Sequence, residues 1–241
     1  MTVPVFLGEV TPGPRLTLAG PEGRHAAAVR RITAGERVDV TDGAGRVAEC
    51  MVDHAGKDHL DLTVLRVYDI PSPTPRLVVV QGLPKGDRGE LAVEMMTEAG
   101  VDAIVPWSAS RSITQWKGDR AAKSLARWRS TAREAGKQAR RFHLPEVLEP
   151  ASTNQVAALL ESAALAVVLH EEAAEPLSRV DLPEKGDIVV VVGPEGGVSD
   201  DELTRFREAG ALPALLGPTV LRTSTAGVAA AAVLLARTGR W

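Results

Sequence analysis

The sequence predicts an α/β protein: a small antiparallel β-barrel over residues 1–70, a linker over 71–75, and a larger domain over 76–241 built on a mostly parallel sheet. Three observations carry this reading. Up to about residue 70, short alternating apolar and polar runs are separated by turn formers. The stretch "IPSPTP", Ile70 to Pro75, sustains neither a helix nor a central strand. From Arg76 onward, buried-type apolar runs take turns with helical segments, the rhythm of a parallel sheet with helical crossovers.

In the first domain the strand candidates are "RLTLAG", "ERVDVTD", "RVAECMV" and "HLDLTVLRVYDI", parted by turns such as Asp42-Gly43 and Ala55-Gly56. In the second, "RLVVVQGL" is a strand, Glu90 to Glu98 a helix and "AIVPW" the next strand. A long helix follows, on which Ala121, Leu125, Trp128, Ala132, Ala135, Ala139 and Phe142 recur at three or four residues and form one apolar stripe. The chain continues with a helix over Asn154 to Ser162, strands "LAVVLH" and "DIVVVV", and a helix from Asp200 to Glu208. A short strand near "ALLG" and a helix from Thr223 to Ala236 complete the order.

The 241 residues, 44% hydrophobic, are enough for a sizeable core. A single cysteine, Cys50, excludes an internal disulfide, and its setting in "RVAECMVD" predicts a packed thiol rather than a nucleophile. The five histidines are scattered without metal-ligand spacing, so no metal is expected. The start of the chain lacks a basic, apolar leader and no run reaches the roughly 20 apolar residues of a membrane span, which predicts a cytoplasmic protein.

The net charge of −3 hides a strong asymmetry. Between Arg111 and His143 ten Lys or Arg stand against Asp119 and Glu134, a surplus of eight, which leaves −11 for the remainder. A solvated helix face is the plainer reading of a charge run. Here, however, there are almost no acids for i,i+4 pairing, and the excess of one sign points to a polyanion such as RNA. Arg111, Arg120, Lys123, Arg127, Arg133, Lys137 and Arg140 are the candidate contacts, with His25, Arg30 and Arg31 from the barrel.

Two strand ends carry Gly-Pro turns. In "VVVVGPEGGVSDDEL" the turn lies between a strand and a helix, where open α/β folds place ligands. It matches neither G-x-G-x-x-G nor a phosphate loop, and Glu195, Asp200, Asp201 and Glu202 repel a pyrophosphate, so a neutral or cationic ligand suits it better. Ser199 and Glu202 also form a capping box, so part of this acidity is explained by the helix start. The second turn, "LLGPTVLRTSTAGVAAAAVLLA", adds Arg222, Thr223, Ser224 and Thr225 near a helix N-terminus. For Arg222 a structural salt bridge is the alternative to a site role.

Together, "GPEGG", "LGPTVLRTSTA" and "KGDRGELAVEMMTEAGVDAIVPWSASRS" closely resemble the 16S rRNA uracil-N3 methyltransferases, the RsmE family of the SPOUT superfamily. The segment "HAAAVRRITAGERV" is similar to the family's H-x-x-x-V-L-R segment in a PUA-like barrel, so the resemblance spans nearly the whole chain. It implies S-adenosylmethionine as cofactor, held at three loops of a deep trefoil knot. Carried over by position, those loops implicate Leu169, Gly193, Pro194, Glu195, Gly196, Gly197, Leu216, Gly217 and Leu221, with Thr223 and Thr225 beside them. It also implies a homodimer through the knot region and 16S rRNA of the small subunit as substrate. The chain departs from the common pattern at Thr219, Ser224 and Glu94, where the family has arginine, glutamate and glutamine, so roles of those side chains do not transfer.

Methylation at uracil N3 requires loss of the imide proton, and N3 lies on the Watson–Crick edge, so the base must be exposed first. Arg222 is the candidate for stabilising the developing ring anion, and Glu195 the candidate proton acceptor or electrostatic partner of a sulfonium. Three rivals stand beside this reading: a related methyltransferase acting on another RNA base, a non-catalytic RNA-binding or ribosome-assembly protein, and a phosphate-binding Rossmann enzyme. The missing fingerprint and the acidic turn weigh against the last.

Overall fold

The computed structural model describes residues 3–241. It contains two compact units, one made of the residues up to Ser72 with Gly136–Leu144, the other of Pro73–Ala135 with Pro145–Trp241.

The first unit is a five-stranded sheet of β1 (Val5–Leu7), β2 (Arg15–Leu18), β3 (Arg37–Thr41), β4 (Arg46–Ala55) and β5 (Leu60–Asp69), in the order β1-β3-β4-β5-β2. Alternation puts Leu16, Leu18, Val38, Val40, Ala48, Cys50, Val52, Leu60 and Leu62 in one core. Cys50 is fully buried, and burial, helped by the Asp39 carboxylate, pushes its thiol up to about 11, as befits packing rather than nucleophilic chemistry. The sheet is mixed rather than wholly antiparallel, because β1 runs parallel to β3. A three-residue strand is too short to display alternation, and so it leaves no periodic trace. Between β2 and β3 the chain also makes a short helix, α1 (Gly20–Arg24), continued by a wider π-helical turn over His25–Val29. The segment Gly136–Leu144 bonds to the turn between β3 and β4: Gly45 N donates to Phe142 O at 2.9 Å and Leu144 N to Gly43 O at 2.8 Å.

The second unit is a six-stranded sheet, β6 (Arg76–Gly82), β7 (Ala103–Trp107), β8 (Glu146–Val147), β9 (Leu165–Leu169), β10 (Asp187–Val192) and β11 (Leu212–Ala214). Every strand pair in it is parallel, and the order is β11-β9-β10-β6-β7-β8. The chain builds outward from β6 to β7 and β8, then skips a position on the other side of β6 to lay down β9, and returns to fill the gap with β10. Helices α2 (Arg88–Ala99), α3 (Asp119–Gln138) and α6 (Thr223–Arg237) contribute to one core with Leu77, Val79, Val190 and Val192. Helices α4 (Thr153–Ser162) and α5 (Asp200–Glu208) pack on the opposite face with Val78, Val80, Val189 and Val191. Burial on both faces explains why these strands read as continuous valine runs.

One expectation is corrected in detail and another is sharpened. Helix α3 stops at Gln138, so Ala139 and Phe142 of the predicted stripe lie beyond it. Arg140 adopts φ +56° and Arg141 N returns to Gly136 O at 2.9 Å, a left-handed closure that ends the helix without a glycine. The short strand expected near "ALLG" is Leu212–Ala214, and Leu215 follows it in a parallel bridge to Pro176, its N–H donating to Glu175 O at 2.8 Å.

Candidate functional site

The carboxyl ends of β11, β9 and β10 are adjacent, and the loops leaving them line a cleft of about 680 Å³ within the second unit. Leu169 and His170 leave β9, Gly193–Val198 leave β10, and Leu215–Thr223 connect β11 to α6. The two Gly-Pro turns singled out in the sequence are therefore two walls of one cavity.

The glycines are there because backbone and open space meet at this point. A Cβ on Gly82, at the end of β6, would lie 2.6 Å from Pro194 N, so the first turn crosses directly over that strand. A Cβ on Gly196 would lie 2.9 Å from Arg111 Cβ and 3.0 Å from Arg111 O, while Arg111 Nη1 donates to Gly196 O at 3.4 Å and Val198 O at 3.3 Å. Gly197, at φ +73°, and Gly217 meet nothing within 4 Å, leaving backbone open to a ligand.

The α5 side of this wall is fastened by Glu202. Its carboxylate, 5% exposed, accepts from Ser110 N at 2.7 Å, Thr153 Oγ1 at 3.1 Å, Ser199 N at 3.1 Å and Ser199 Oγ at 2.9 Å. Burial pushes this carboxyl up, but the hydrogen bonds from Ser110 and Ser199 together outweigh it and hold the group below its ordinary value. The capping box is thus a structural use of the acid.

Of the residues singled out for the cofactor, Leu169, Gly193, Pro194, Glu195, Gly196, Gly197, Leu216, Gly217, Leu221 and Thr223 all line the cleft, as does Arg222. Thr225 does not; its hydroxyl donates to Arg222 O at 3.1 Å within the first turn of α6. Glu195 is partly engaged, since Oε1 accepts from Lys85 N at 3.1 Å. The hydroxyl of Thr223 gives its hydrogen to Gly193 O at 2.7 Å, so it has none to offer a ligand. Arg88, His170, Glu171 and Glu172 also line the cleft and were missed, because only the chain path brings the start of α2 and the exit of β9 to these turns. Arg88, Arg111 and Arg222 thus share one cavity with Glu171, Glu172, Glu195 and Asp200.

The basic residues divide. On α3, Arg120, Lys123 and Arg133 are exposed with no ion pair among the described residues, whereas Arg127 pairs with Glu90 at 2.8 Å while staying mostly in solvent. Lys137 is withdrawn from the surface: its side chain is 8% exposed and meets Glu22 at 2.8 Å, so it serves the first unit rather than a phosphate. Arg140 is exposed in the turn that ends α3, and Arg111 belongs to the cleft. In the first unit Arg30 and Arg31 are exposed and His25 lies edge-on to Phe6 with ring centroids 6.3 Å apart. Among the described residues no group of three His, Cys, Asp or Glu side chains is placed to hold a metal ion, and no helix is long and apolar enough to cross a membrane.

This architecture has known relatives. A family model described as an RNA methyltransferase domain matches residues 71–235, and one described as an RNA methyltransferase PUA domain matches residues 18–65. Ribosomal RNA small subunit methyltransferase E of Mycobacterium bovis is 45% identical over 226 residues, which cover 92% of this chain and 86% of the relative. The protein of that description from Aquifex aeolicus is 30% identical, covering 96% of this chain and 98% of its own. The crystal structure of the Neisseria gonorrhoeae ribosomal RNA small subunit methyltransferase E bound to S-adenosylmethionine is 27% identical with a TM-score of 0.84, covering 98% of each chain. A PUA-like sheet ahead of a parallel α/β methyltransferase sheet, matched along nearly its whole length, places the chain in the ribosomal RNA small subunit methyltransferase E family.

Proposed function

We propose that the protein is an S-adenosylmethionine-dependent methyltransferase acting on N3 of a uridine in 16S rRNA of the small ribosomal subunit. The observation that carries this reading is the mixed charge of the cleft, three guanidinium groups and four carboxylates around glycine-rich turns that lack a phosphate-binding pattern. S-adenosylmethionine is itself mixed in charge, with a carboxylate, an ammonium, a sulfonium and an uncharged adenosine, and it supplies an activated methyl group when bound. The donor set fits it: Leu169, Leu216 and Leu221 offer apolar surface, and Gly193 to Gly197 and Gly217 offer backbone polar groups and room.

In this reading Arg222 stabilises the uracil ring as N3 gives up its proton. It lines the cleft, and its side chain has no ion pair among the described residues. The carboxylate of Glu195, tethered through Lys85 N, is placed to accept that proton or to favour a cation nearby. The N-terminal unit and the exposed cations of α3 hold the RNA by its phosphates, which fixes position rather than sequence. The trefoil knot, a homodimer through the segment around the cleft and action in the cytoplasm belong to the same reading; Val220, 77% exposed, and Leu221 give the cleft rim an apolar edge for a second copy.

The test is to incubate the protein with labelled S-adenosylmethionine and small subunits from cells lacking the activity, then identify the modified nucleoside. 3-Methyluridine in 16S rRNA is expected, and Arg222→Ala is expected to lower kcat by roughly 10²-fold or more while cofactor binding persists. A different methylated base would overturn the substrate assignment, and absence of cofactor binding would overturn the whole reading.

A further inference from the structure

Gln81 is a fully buried polar residue near the end of β6, in a register otherwise occupied by Leu77 and Val79, facing the core shared by α2 and α6. An amide in such a place is costly unless its hydrogen bonds are made. Both hydrogens on Nε2 are engaged: one with Gly82 O at 3.1 Å, the other with Thr223 Oγ1 at 2.9 Å. Thr223, 6% exposed, passes its own hydrogen to Gly193 O at 2.7 Å. The three bonds form a relay that runs from β6 through the first residue of α6 to the first residue after β10.

The remaining atom of the amide settles its orientation. Gln81 Oε1 is buried with no hydrogen-bond partner among the described residues. Turning the amide over would set that oxygen against Gly82 O, two acceptors face to face, and would remove the donor that Thr223 needs if its hydrogen is to stay on Gly193. In the orientation seen, both donors of the amide reach the relay. A residue required only to fill volume would need no such bonds, since leucine or methionine would fill the same space.

We infer that Gln81 is a positioning residue of the cleft: through Thr223 it sets the spacing between the Gly193 turn and the start of α6, the two walls that the methyltransferase reading assigns to the cofactor. It does not line the cleft and acts only through Thr223 and Gly82. The inference rests on that reading for the identity of the ligand, but the relay itself is testable without one.

Amide hydrogen exchange of Gly193–Gly197 is measured on the ligand-free full chain for wild type, Gln81→Met, Gln81→Glu, Thr223→Val and Thr223→Ser. Exchange in this turn is expected to rise roughly tenfold in Gln81→Met, Gln81→Glu and Thr223→Val while the sheet strands keep their protection, and Thr223→Ser, which keeps the hydroxyl, is expected to resemble wild type. The Gln81→Met/Thr223→Val double variant is expected to be no worse than either single one, since both break the same relay. Should Gln81→Met fail to fold, the contrast between Thr223→Val and Thr223→Ser decides. Unchanged exchange in Thr223→Val, or equal exchange in Thr223→Val and Thr223→Ser, overturns the inference. On the same samples, S-adenosylmethionine is titrated by calorimetry; a rise in Kd of roughly tenfold is expected wherever exchange rises. Wild type that fails to bind this ligand while the exchange pattern holds would sink the cofactor assignment and leave the relay standing.

Discussion

Glu202 and Gln81 show how single polar side chains hold the cleft from two directions. Glu202 gathers the exit of β7, the start of α4 and the start of α5 onto one carboxylate. Because its folded pKa is depressed, the stability it contributes is present above the ordinary carboxylate value and is lost as pH falls through the folded value. Glu202→Gln is therefore expected to lower stability at neutral pH by about 1–3 kcal/mol and to flatten the acid limb of a stability profile followed by urea unfolding. An unchanged acid limb would show that the carboxylate charge contributes nothing there. The sequence disclosed the capping box with Ser199 but not the bonds to Ser110 and Thr153, which join residues 92 and 49 positions apart.

At the scale of elements, α3 separates its charge from its packing. Leu125, Trp128, Ala132 and Ala135 are buried along one stripe while Arg120, Lys123 and Arg133 stand in solvent. Charge reversal of those three is expected to weaken RNA binding and to flatten its salt dependence, by about one unit of slope for each phosphate no longer neutralised. Lys137→Glu should instead destabilise the protein, because it sets two carboxylates together where Lys137 meets Glu22. Binding isotherms at several salt concentrations, with thermal melts, separate the two effects. Periodicity made most elements legible: "AIVPW", "DIVVVV" and the helix over Asp200 to Glu208 lie where their patterns place them. It failed where the determinant was not periodic, as in β1, too short to alternate, and at the end of α3, set by the left-handed Arg140. The glycine turns, read from the sequence as a candidate ligand site, do line one cleft, and they were legible because their chemistry is local. Arg88, His170 and the acids after it were not, because a site assembled by chain topology leaves no mark in local spacing.

For the molecule as a whole, the boundary between units is not a single point in sequence. The first unit takes up Gly136–Leu144, where Thr41 Oγ1 approaches Phe142 O at 3.4 Å and the His143 ring meets Ile70 O at 2.8 Å. A fragment ending in the linker, such as residues 1–75, lacks these partners. It is expected to show poorly dispersed amide resonances and little cooperativity in thermal unfolding, whereas the full chain unfolds cooperatively. A well-dispersed spectrum from that fragment would show that Gly136–Leu144 adds nothing the first unit needs. The segment has an evolutionary consequence as well. The chain passes between the units at 72/73, 135/136 and 144/145, so a recombination event at the linker alone would carry off the five-stranded sheet without the Gly136–Leu144 segment that packs on it. Moving the first unit as a complete cassette would take all three crossings, not the linker alone.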